Sequence, residues 1–208
     1  MLLLTLAACA PFIPTPSPVP REVPASGTTV FEDDFSSASS GWTRQRIPEG
    51  TMDYDAGGYR ILVSGPETNF WATAHKSLVD VRLEVDAAKL GGPDENRLGL
   101  LCRQTGDEYY FFLITSDGYF GVGVFVGGAA TLLGSPQMEF SDQILTGMAV
   151  NHLRADCSGQ NLSLYVNGRH LVTVTDDRLA AGDVGLIAGT FASPGADIIF
   201  DNFQVLVP

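Results

Sequence analysis

Short stretches of alternating apolar and polar residues dominate the chain after residue 30. In residues 79–86, four aliphatic residues alternate with four charged ones, so one face of a strand is expected in the core and the other in water. No stretch shows a sustained 3.6-residue apolar period. The pattern therefore predicts an all-β domain of many short strands with almost no helix.

Two tight turns interrupt pairs of apolar runs. An Asp-Gly pair divides residues 109–122, and an Asn-Gly pair divides residues 162–174. These dipeptides adopt positive φ angles at little cost, as hairpin turns require. Both segments are therefore predicted to be antiparallel hairpins.

The first of these hairpins is apolar on both faces, since residues 109–114 read Tyr-Tyr-Phe-Phe-Leu-Ile. Such a strand belongs in the middle of a sandwich, with one face in the core and the other lining a sheltered groove. Residues 31–35 and 198–205 are also strand-like, and we expect them to pair and bring the ends of the domain together. The predicted fold class is an antiparallel β-sandwich.

The N-terminal residues have a different character from this domain. Residues 1–9 form an apolar run that ends in Leu6-Ala7-Ala8-Cys9, typical of the end of an export signal. These four residues resemble the bacterial lipobox. The resemblance implies cleavage before Cys9 and attachment of acyl chains, palmitate among them, that anchor the protein to a membrane. The alternative is an apolar N-terminus with an incidental cysteine.

A proline-rich segment follows the cysteine. Six prolines lie between positions 11 and 24, which favours extended polyproline II. We interpret residues 10–29 as a linker between the anchor and a folded domain at residues 30–208. The predicted location is a cell membrane or outer surface, on the extracytoplasmic side, while a proline-rich ligand for another protein is the alternative.

Charge restricts the possible partners. Lys and Arg total 12 against 24 acidic residues, which gives a formal net charge of −12. A surface of this sign repels phosphate backbones, so nucleic acid is excluded as a partner. The length of 208 residues fits one domain plus a tail, and we expect a monomer with a single core.

Several sequence pieces of the domain occur in a characteristic order. They are Phe-Glu-Asp-Asp-Phe-Ser at residues 31–36, the strand at 96–103, the Tyr-Tyr-Phe-Phe hairpin, residues 164–168 and residues 200–203. Together they resemble concanavalin A-like domains of bacterial surface lipoproteins, which implies a jelly roll over nearly all of residues 30–208. That superfamily includes sugar-binding modules, laminin G-like domains, glucanases and domains linked to 3-keto-disaccharide hydrolysis, so it implies a fold more than a function.

Two cysteines remain when Cys9 is assigned to lipid. Cys102 and Cys157 form an even pair in an oxidising compartment, and we predict a disulfide between neighbouring strands. It would close a loop of about fifty residues and stabilise the fold by roughly 4 kcal/mol in the chain-entropy model. Two buried thiols or a metal site are the alternatives, although no His or Cys shows ligand spacing.

One strand resembles a catalytic motif. Residues 84–89 read Glu-Val-Asp-Ala-Ala-Lys, similar to the Glu-x-Asp-x-x-Glu strand of retaining glucanases. Retaining hydrolysis needs two carboxyl groups about 5–5.5 Å apart, one as nucleophile and one as acid/base. Lys89 stands in place of the second glutamate, and an ammonium group cannot perform that role. We therefore predict no catalytic residues and no enzyme activity.

Aromatic and polar side chains of the domain suggest a ligand site. Sugar rings stack on Trp and Tyr, while charged and amide groups bind their hydroxyls. The predicted site combines one tryptophan, two carboxylates, one arginine and the groove-facing member of the Tyr109/Tyr110 pair, taken as Tyr110. Its residues are Trp71, Glu84, Asp86, Arg103 and Tyr110. The alternative is that the aromatic residues belong to the core.

Short acids near the terminal strands suggest a cation site. Ca²⁺ needs several oxygen ligands, and Asp34 and Asp201, with Asp33 beside them, are the possible ligands. Turn capping by the same acids is the alternative. No other cofactor is expected.

These observations favour a lipid-anchored, extracytoplasmic, non-catalytic binding domain for carbohydrate or another component of the cell envelope. A glycoside-active enzyme of the same superfamily is one alternative. A structural domain that packs against envelope proteins is the other. A solvent-facing aromatic side chain beside paired carboxylates in a concave groove would favour the first two functions, and an all-aliphatic or filled groove would favour the third.

Overall fold

The computed structural model describes residues 25–208, which form sixteen β-strands in two antiparallel sheets. The prediction of an all-β sandwich is confirmed. The signal region, Cys9 and most of the linker lie outside the described residues. From residue 25 onward, no helix has the length and hydropathy of a membrane span.

The first sheet has nine strands, numbered in chain order. Their bounds are β1 Thr29–Asp33, β2 Gln45–Ile47, β3 Gly50–Asp55, β4 Gly58–Val63, β6 Val81–Gly91, β12 Asn151–Ser158, β13 Asn161–Val166, β14 Arg169–Thr175 and β16 Ala196–Leu206. The order across the sheet is β14-β13-β12-β6-β16-β4-β3-β2, and β1 also pairs with β16.

The second sheet has seven strands. Their bounds are β5 Asn69–Thr73, β7 Asn96–Thr105, β8 Glu108–Ile114, β9 Tyr119–Val126, β10 Ala129–Leu132, β11 Glu139–Phe140 and β15 Asp183–Thr190. The order is β10-β9-β8-β7-β15-β5, and β11 also pairs with β9. Since β6 lies in one sheet and β7 in the other, their connection crosses from sheet to sheet.

The turns and terminal pairing follow the sequence patterns. β13 and β14 are joined by Asn167 and Gly168, whose φ angles are 52° and 77°. β8 and β9 form the other predicted hairpin, with Gly118 at a φ of 99°. The first strand pairs with the last, and Phe31 stands opposite Val205, so the two ends of the domain lie together.

The core lies between the two sheets and includes a cluster of aromatic rings near the first strand. Trp42 packs edge-on against Phe35 and Phe203, with ring centroids 5.2 and 5.0 Å apart. Buried Asp33 accepts hydrogen bonds from the indole Nε1 of Trp42 at 2.9 Å and the backbone N of Phe35 at 2.8 Å. Because both its oxygens are occupied, Asp33 has a structural role.

The predicted disulfide between Cys102 and Cys157 is present, with Cα atoms 6.9 Å apart. Cys102 lies on β7 and Cys157 on β12, so the bond joins the two sheets. The two strands are neighbours across the core and not side by side in one sheet, because the side chains of both cysteines point into the space between the sheets.

Arg103 reinforces the same end of the sandwich. Its guanidinium donates hydrogen bonds to the carbonyl oxygens of Val79, Leu179 and Gly159 at 3.0, 2.9 and 2.7 Å. It also forms an ion pair with Asp80 at 3.3 Å. A fully buried cation is tolerated here because these oxygens replace its water shell.

We predict that the Cys102→Ala/Cys157→Ala double variant loses about 4 kcal/mol of unfolding free energy, because the closed loop spans 55 residues of chain. Urea unfolding measures the loss. Wild-type protein unfolded in the presence of a thiol reductant should show the same decrease. A loss below about 1 kcal/mol in both experiments would show that the bond adds little to the packing of the two sheets.

Candidate functional site

The outer face of the seven-stranded sheet is apolar, although it faces away from the core between the sheets. Five side chains on it are buried against one another: Leu101, Tyr109, Phe111, Leu113 and Ile187. Four partly buried residues surround them: Trp71, Phe125, Leu132 and Met138. This is the sheltered face expected from the doubly apolar strand β8.

Glycines on this face leave room for the long side chains to lie across the strands. A Cβ on Gly123 of β9 would lie 2.2 Å from Cζ of Phe111, and a Cβ on Gly189 of β15 would lie 2.0 Å from Oδ1 of Asn69. No larger residue fits at either position without displacing these neighbours. The aromatic side chains therefore lie over a floor of bare backbone.

A cavity of about 210 Å³ opens on this face, and we call it the groove. Its walls are mostly aromatic and aliphatic. Polar atoms reach it from three residues, Asn69, Arg97 and Tyr109. An apolar concavity with a few convergent polar groups is typical of a small-molecule or saccharide site.

Tyr109 lies at the centre of the aromatic residues beside the groove. Its ring stacks on Phe125 with centroids 5.4 Å apart and an interplanar angle of 13°, and Trp71 lies 5.4 Å away. Burial raises the pKa of Tyr109 to about 12. Within residues 25–208 its hydroxyl makes no hydrogen bond, and since no buried side-chain polar atom there lacks a partner, this hydroxyl reaches solvent at the groove. A ligand in the groove can therefore bind it without breaking a hydrogen bond of the protein.

Arg97 supplies the positive charge of the groove. Its side chain is 17% exposed, and its Nη1 donates to Oδ1 of Asn69 at 3.0 Å. The guanidinium carbon lies 3.9 Å from the ring centroid of Phe191, a cation–π contact. Glu67 stands 3.7 Å from Nη2. Burial is the main cause that lowers the pKa of Arg97 below its usual value.

The structure separates the residues predicted to form one ligand site. Trp71 lies beside the groove, but Tyr110 points to the opposite side of β8, into the core. The Tyr110 hydroxyl donates to Oδ1 of Asp176 at 2.6 Å and accepts from the backbone N of Leu179 at 3.0 Å. The choice of Tyr110 was wrong, and Tyr109 is the groove-facing tyrosine.

Glu84 and Asp86 lie on the outer face of the nine-stranded sheet, on the far side of the sandwich from Trp71. Asp86 Oδ1 is 2.8 Å from Nδ1 of His152, and Glu84 Oε2 is 3.4 Å from its Nε2. Asn202 donates to the other oxygen of Asp86 at 3.0 Å. The prediction that these carboxylates join the aromatic residues was wrong, because β6 and β5 belong to different sheets.

Lys89 does not complete a catalytic set with these carboxylates. Its ammonium donates to the carbonyl oxygen of Gly92 at 3.2 Å and forms an ion pair with Asp94 in the turn after β6. The side chain is buried by these contacts. Lys89 therefore holds the turn that carries the chain from one sheet to the other.

Arg103 was also predicted at the ligand site, and the prediction was wrong. Simple alternation along β7 places Arg103 on the same face as Arg97 and Leu101. The register of β7 shifts between Cys102 and Thr105, and Arg103 takes a left-handed φ of 53°. This bulge turns its side chain away from the groove to the end of the sandwich.

The structure does not assemble the proposed calcium ligands. Asp34 lines a polar cavity with Glu32 and Gln204, whereas Asp201 lines a different one. Oδ1 of Asp34 accepts hydrogen bonds from the N and Oγ of Ser36, which lower the pKa of Asp34. No group of three or more His, Cys, Asp or Glu side chains suited to a metal occurs within residues 25–208. Turn capping accounts for Asp34.

The sequence analysis missed several residues of the groove, among them Asn69, Arg97, Phe125 and Phe191. A signal for two of them was present. In β9 the residues Gly121, Gly123 and Phe125 share one face, and a strand face of glycines followed by an aromatic residue indicates a close approach by other groups. Arg97 shares its face with Leu101 of the same strand. Phe191 follows β15 and carried no pattern.

No protein-family model matches the chain, and no curated protein sequence does. Among solved structures, the carbohydrate-binding module CBM66 from Bacillus subtilis matches with a TM-score of 0.64 and 19% identity, over 80% of this chain and 95% of that one. A Bacillus subtilis protein of unknown function with a galectin-like fold matches with a TM-score of 0.63 and 11% identity, over 88% and 97%.

A Bacteroides ovatus mixed-linkage glucan GH16 protein, in complex with a G4G4G3G product, matches with a TM-score of 0.61 and 9% identity. The match covers 85% of this chain and 100% of that one. At these identities the similarity concerns the fold. The domain has the fold of an antiparallel β-sandwich of the jelly-roll type.

The two adjacent tyrosines make a matched pair for mutation. We predict that Tyr110→Phe lowers the unfolding free energy by about 1–3 kcal/mol, because it removes a buried partner of Asp176 and Leu179. Tyr109→Phe should leave stability within about 0.5 kcal/mol of wild type, because its hydroxyl has no partner within residues 25–208. Urea unfolding of both variants tests this, and an equal loss in the two would contradict the assignment of their faces.

Proposed function

We propose that the protein is a non-catalytic carbohydrate-binding domain whose ligand lies in the groove on the outer face of the seven-stranded sheet. The observation that carries this proposal is the central Tyr109, whose ring lies between Trp71 and Phe125 and whose hydroxyl reaches solvent at the groove. Sugars present apolar C–H faces and many hydroxyls, so they suit a surface that combines aromatic rings with a few polar groups.

The solved structures of similar fold support this class of ligand. One is a carbohydrate-binding module and another is a GH16 protein holding a glucan product. A third belongs to the endo-acting O-glycanases that members of the human gut microbiota express to initiate mucin breakdown. Saccharide recognition is thus a recurrent use of this fold, and the groove of the present chain has the chemistry that such recognition needs.

The composition of the groove supports binding without catalysis. None of the described residues that line it is an Asp or a Glu. Glycoside hydrolysis commonly uses two carboxyl groups on either side of the scissile bond. The paired carboxylates Glu84 and Asp86 lie on the other sheet, where His152 and Asn202 occupy them.

A glycoside-active enzyme is the second candidate, and the Glu84–His152–Asp86 cluster is the observation that favours it. If this cluster is catalytic, incubation with a bound polysaccharide should release new reducing ends, and Glu84→Gln should abolish the release. We expect no reducing ends from any polysaccharide that the protein retains.

We also propose that the protein is lipid-anchored through Cys9. The position of the first described residues of the domain suits such an anchor. Gly27 N donates to Val207 O at 2.9 Å, at the end of the sandwich where β16 ends and β6 begins. β6 then runs along the sheet to Gly91, and a turn leads to Arg97 near the start of β7. A tether at the Gly27 end of the sandwich would hold the polar part of the groove, near Arg97, away from the membrane.

The anchor has a direct test. We predict that Cys9→Ser releases the protein into the soluble fraction, since acyl chains supply the membrane affinity at about 0.8 kcal/mol per buried methylene. Cell fractionation with immunoblotting measures this. The variants Cys102→Ser and Cys157→Ser are the controls and should stay with the membrane. Unchanged membrane association of the Cys9 variant would refute the proposal.

The binding proposal is tested with full-length Cys9→Ser protein on a glycan array, followed by calorimetry with the saccharide retained best. We predict that Trp71→Ala weakens binding at least about tenfold, which corresponds to 1.4 kcal/mol. The Glu84→Gln/Asp86→Asn variant should bind as wild type, because both residues lie on the opposite side of the sandwich.

Two results would count against this assignment. Retention of no glycan would favour the structural role in which the domain packs against other envelope proteins. Loss of binding in the carboxylate variant, with Trp71→Ala unaffected, would move the site to the nine-stranded sheet. Urea unfolding of each variant separates loss of binding from loss of folding.

A further inference from the structure

We propose that the saccharide bound in the groove carries a carboxylate, as uronic acids do, and that Arg97 recognises it. This inference rests on the proposed carbohydrate-binding function and deepens it. The class of ligand follows from Arg97, whose guanidinium is the one that lines the groove among the described residues.

Arg97 forms few of the hydrogen bonds that its side chain can donate. A guanidinium has five N–H donors in a planar fork that matches a carboxylate. Within residues 25–208, Arg97 makes one hydrogen bond, from Nη1 to the amide oxygen of Asn69 at 3.0 Å. The ring of Phe191 covers one of its faces and accepts no conventional hydrogen bond. Most of its donors therefore make no hydrogen bond within residues 25–208, and since no buried side-chain nitrogen there lacks a partner, these donors reach solvent at the groove.

Other arginines of the domain donate two or more hydrogen bonds to carboxylate groups. Arg60 binds both oxygens of Asp197 at 2.7 and 2.6 Å and also binds Asp55 at 2.6 Å. Arg154 binds both carboxylate oxygens of Asp156. In these cases the carboxylate raises the pKa of the arginine, whereas burial lowers that of Arg97. Arg97 is a largely buried cation without a bidentate carboxylate partner, although the nearby Glu67 raises its pKa against the larger effect of burial.

Glu67 is not that partner. Its carboxylate lies 3.7 Å from Nη2 of Arg97, beyond hydrogen-bond distance, and its side chain is 67% exposed. Ion pairs of exposed side chains contribute little, because water screens them. A ligand carboxylate inside the groove would meet the guanidinium in a less solvated place. It would compete with Glu67 for the same cation.

The negative net charge of the protein means that an acidic saccharide has to be bound through a local cation. A protein of net charge −12 repels acidic polysaccharides at long range, so non-specific attraction cannot account for their retention. A local cation in an apolar groove is needed to overcome that repulsion. The hydroxyl of Tyr109 lines the same groove and offers a second donor to an acidic sugar.

The experiment uses full-length Cys9→Ser protein and oligogalacturonides, with their methyl esters as the matched neutral probe. Calorimetry should give an affinity for the acid at least about tenfold above that for the ester, since only the acid can form a charge-assisted pair of hydrogen bonds with the guanidinium. Arg97→Gln should remove this preference. Arg97→Lys should restore it in part, because lysine keeps the charge and loses the fork.

Glu67→Gln is the opposing control. Removal of the competing carboxylate should raise affinity for the acid about two- to fivefold, the range of weak surface charge effects, and leave the ester unchanged. A merely structural role for Arg97 would change both probes equally. Urea unfolding of each variant checks that the fold is intact.

The outcomes distinguish this inference from the function on which it rests. Equal affinity for acid and ester, or binding of neutral glycans alone on the array, overturns the acidic ligand and leaves carbohydrate binding standing. An equal decrease for both probes in Arg97→Gln likewise overturns the role of Arg97. Retention of no glycan, acidic or neutral, overturns both proposals.

Discussion

The alternation of side chains along a strand is the constraint on which this molecule depends. In the nine-stranded sheet it gives one apolar and one polar face, as in β6, where Val81, Leu83 and Val85 are buried and the residues between them are charged. In the seven-stranded sheet both faces are apolar. One is covered by the other sheet, and nothing in residues 25–208 covers the second apart from its own aromatic side chains. The groove forms on this face because its aromatic side chains pack against one another and lie over the backbone of glycine residues.

The rigidity of the groove depends on how the two sheets are held together. The Cys102–Cys157 bond and the neighbouring Arg103 both join the sheets at the end of the sandwich where β7 ends and β12 ends. Cys102 shares β7 with Arg97, and these residues lie on opposite faces of that strand. A strand fixed from the core side presents its outer side chains in a defined arrangement, which reduces the entropy lost when a ligand binds.

The sequence predicted local structure well, because turns and alternation are local properties. It predicted both hairpins, the pairing of the terminal strands and the identity of the disulfide. It did not reveal which strands share a sheet, since that depends on crossovers such as the β6–β7 turn. Glu84 and Trp71 therefore seemed compatible with one site. The choice between Tyr109 and Tyr110 failed for another reason: both faces of β8 are apolar, so hydrophobicity carries no information on direction. The residues that form the bulge at Arg103 do not indicate a bulge in the sequence.

The two outer faces of the sandwich differ in whether their polar groups are already satisfied. On the nine-stranded sheet the charged groups bind one another: Asp156 accepts from both Arg82 and Arg154, and His152 lies between two carboxylates. A ligand there would have to replace bonds that the protein already makes. In the groove, the hydroxyl of Tyr109 and most donors of Arg97 are without protein partners. These groups reach solvent, so a ligand can bind them without breaking bonds within the protein, and affinity is to be expected on the aromatic face, where fewer charges lie.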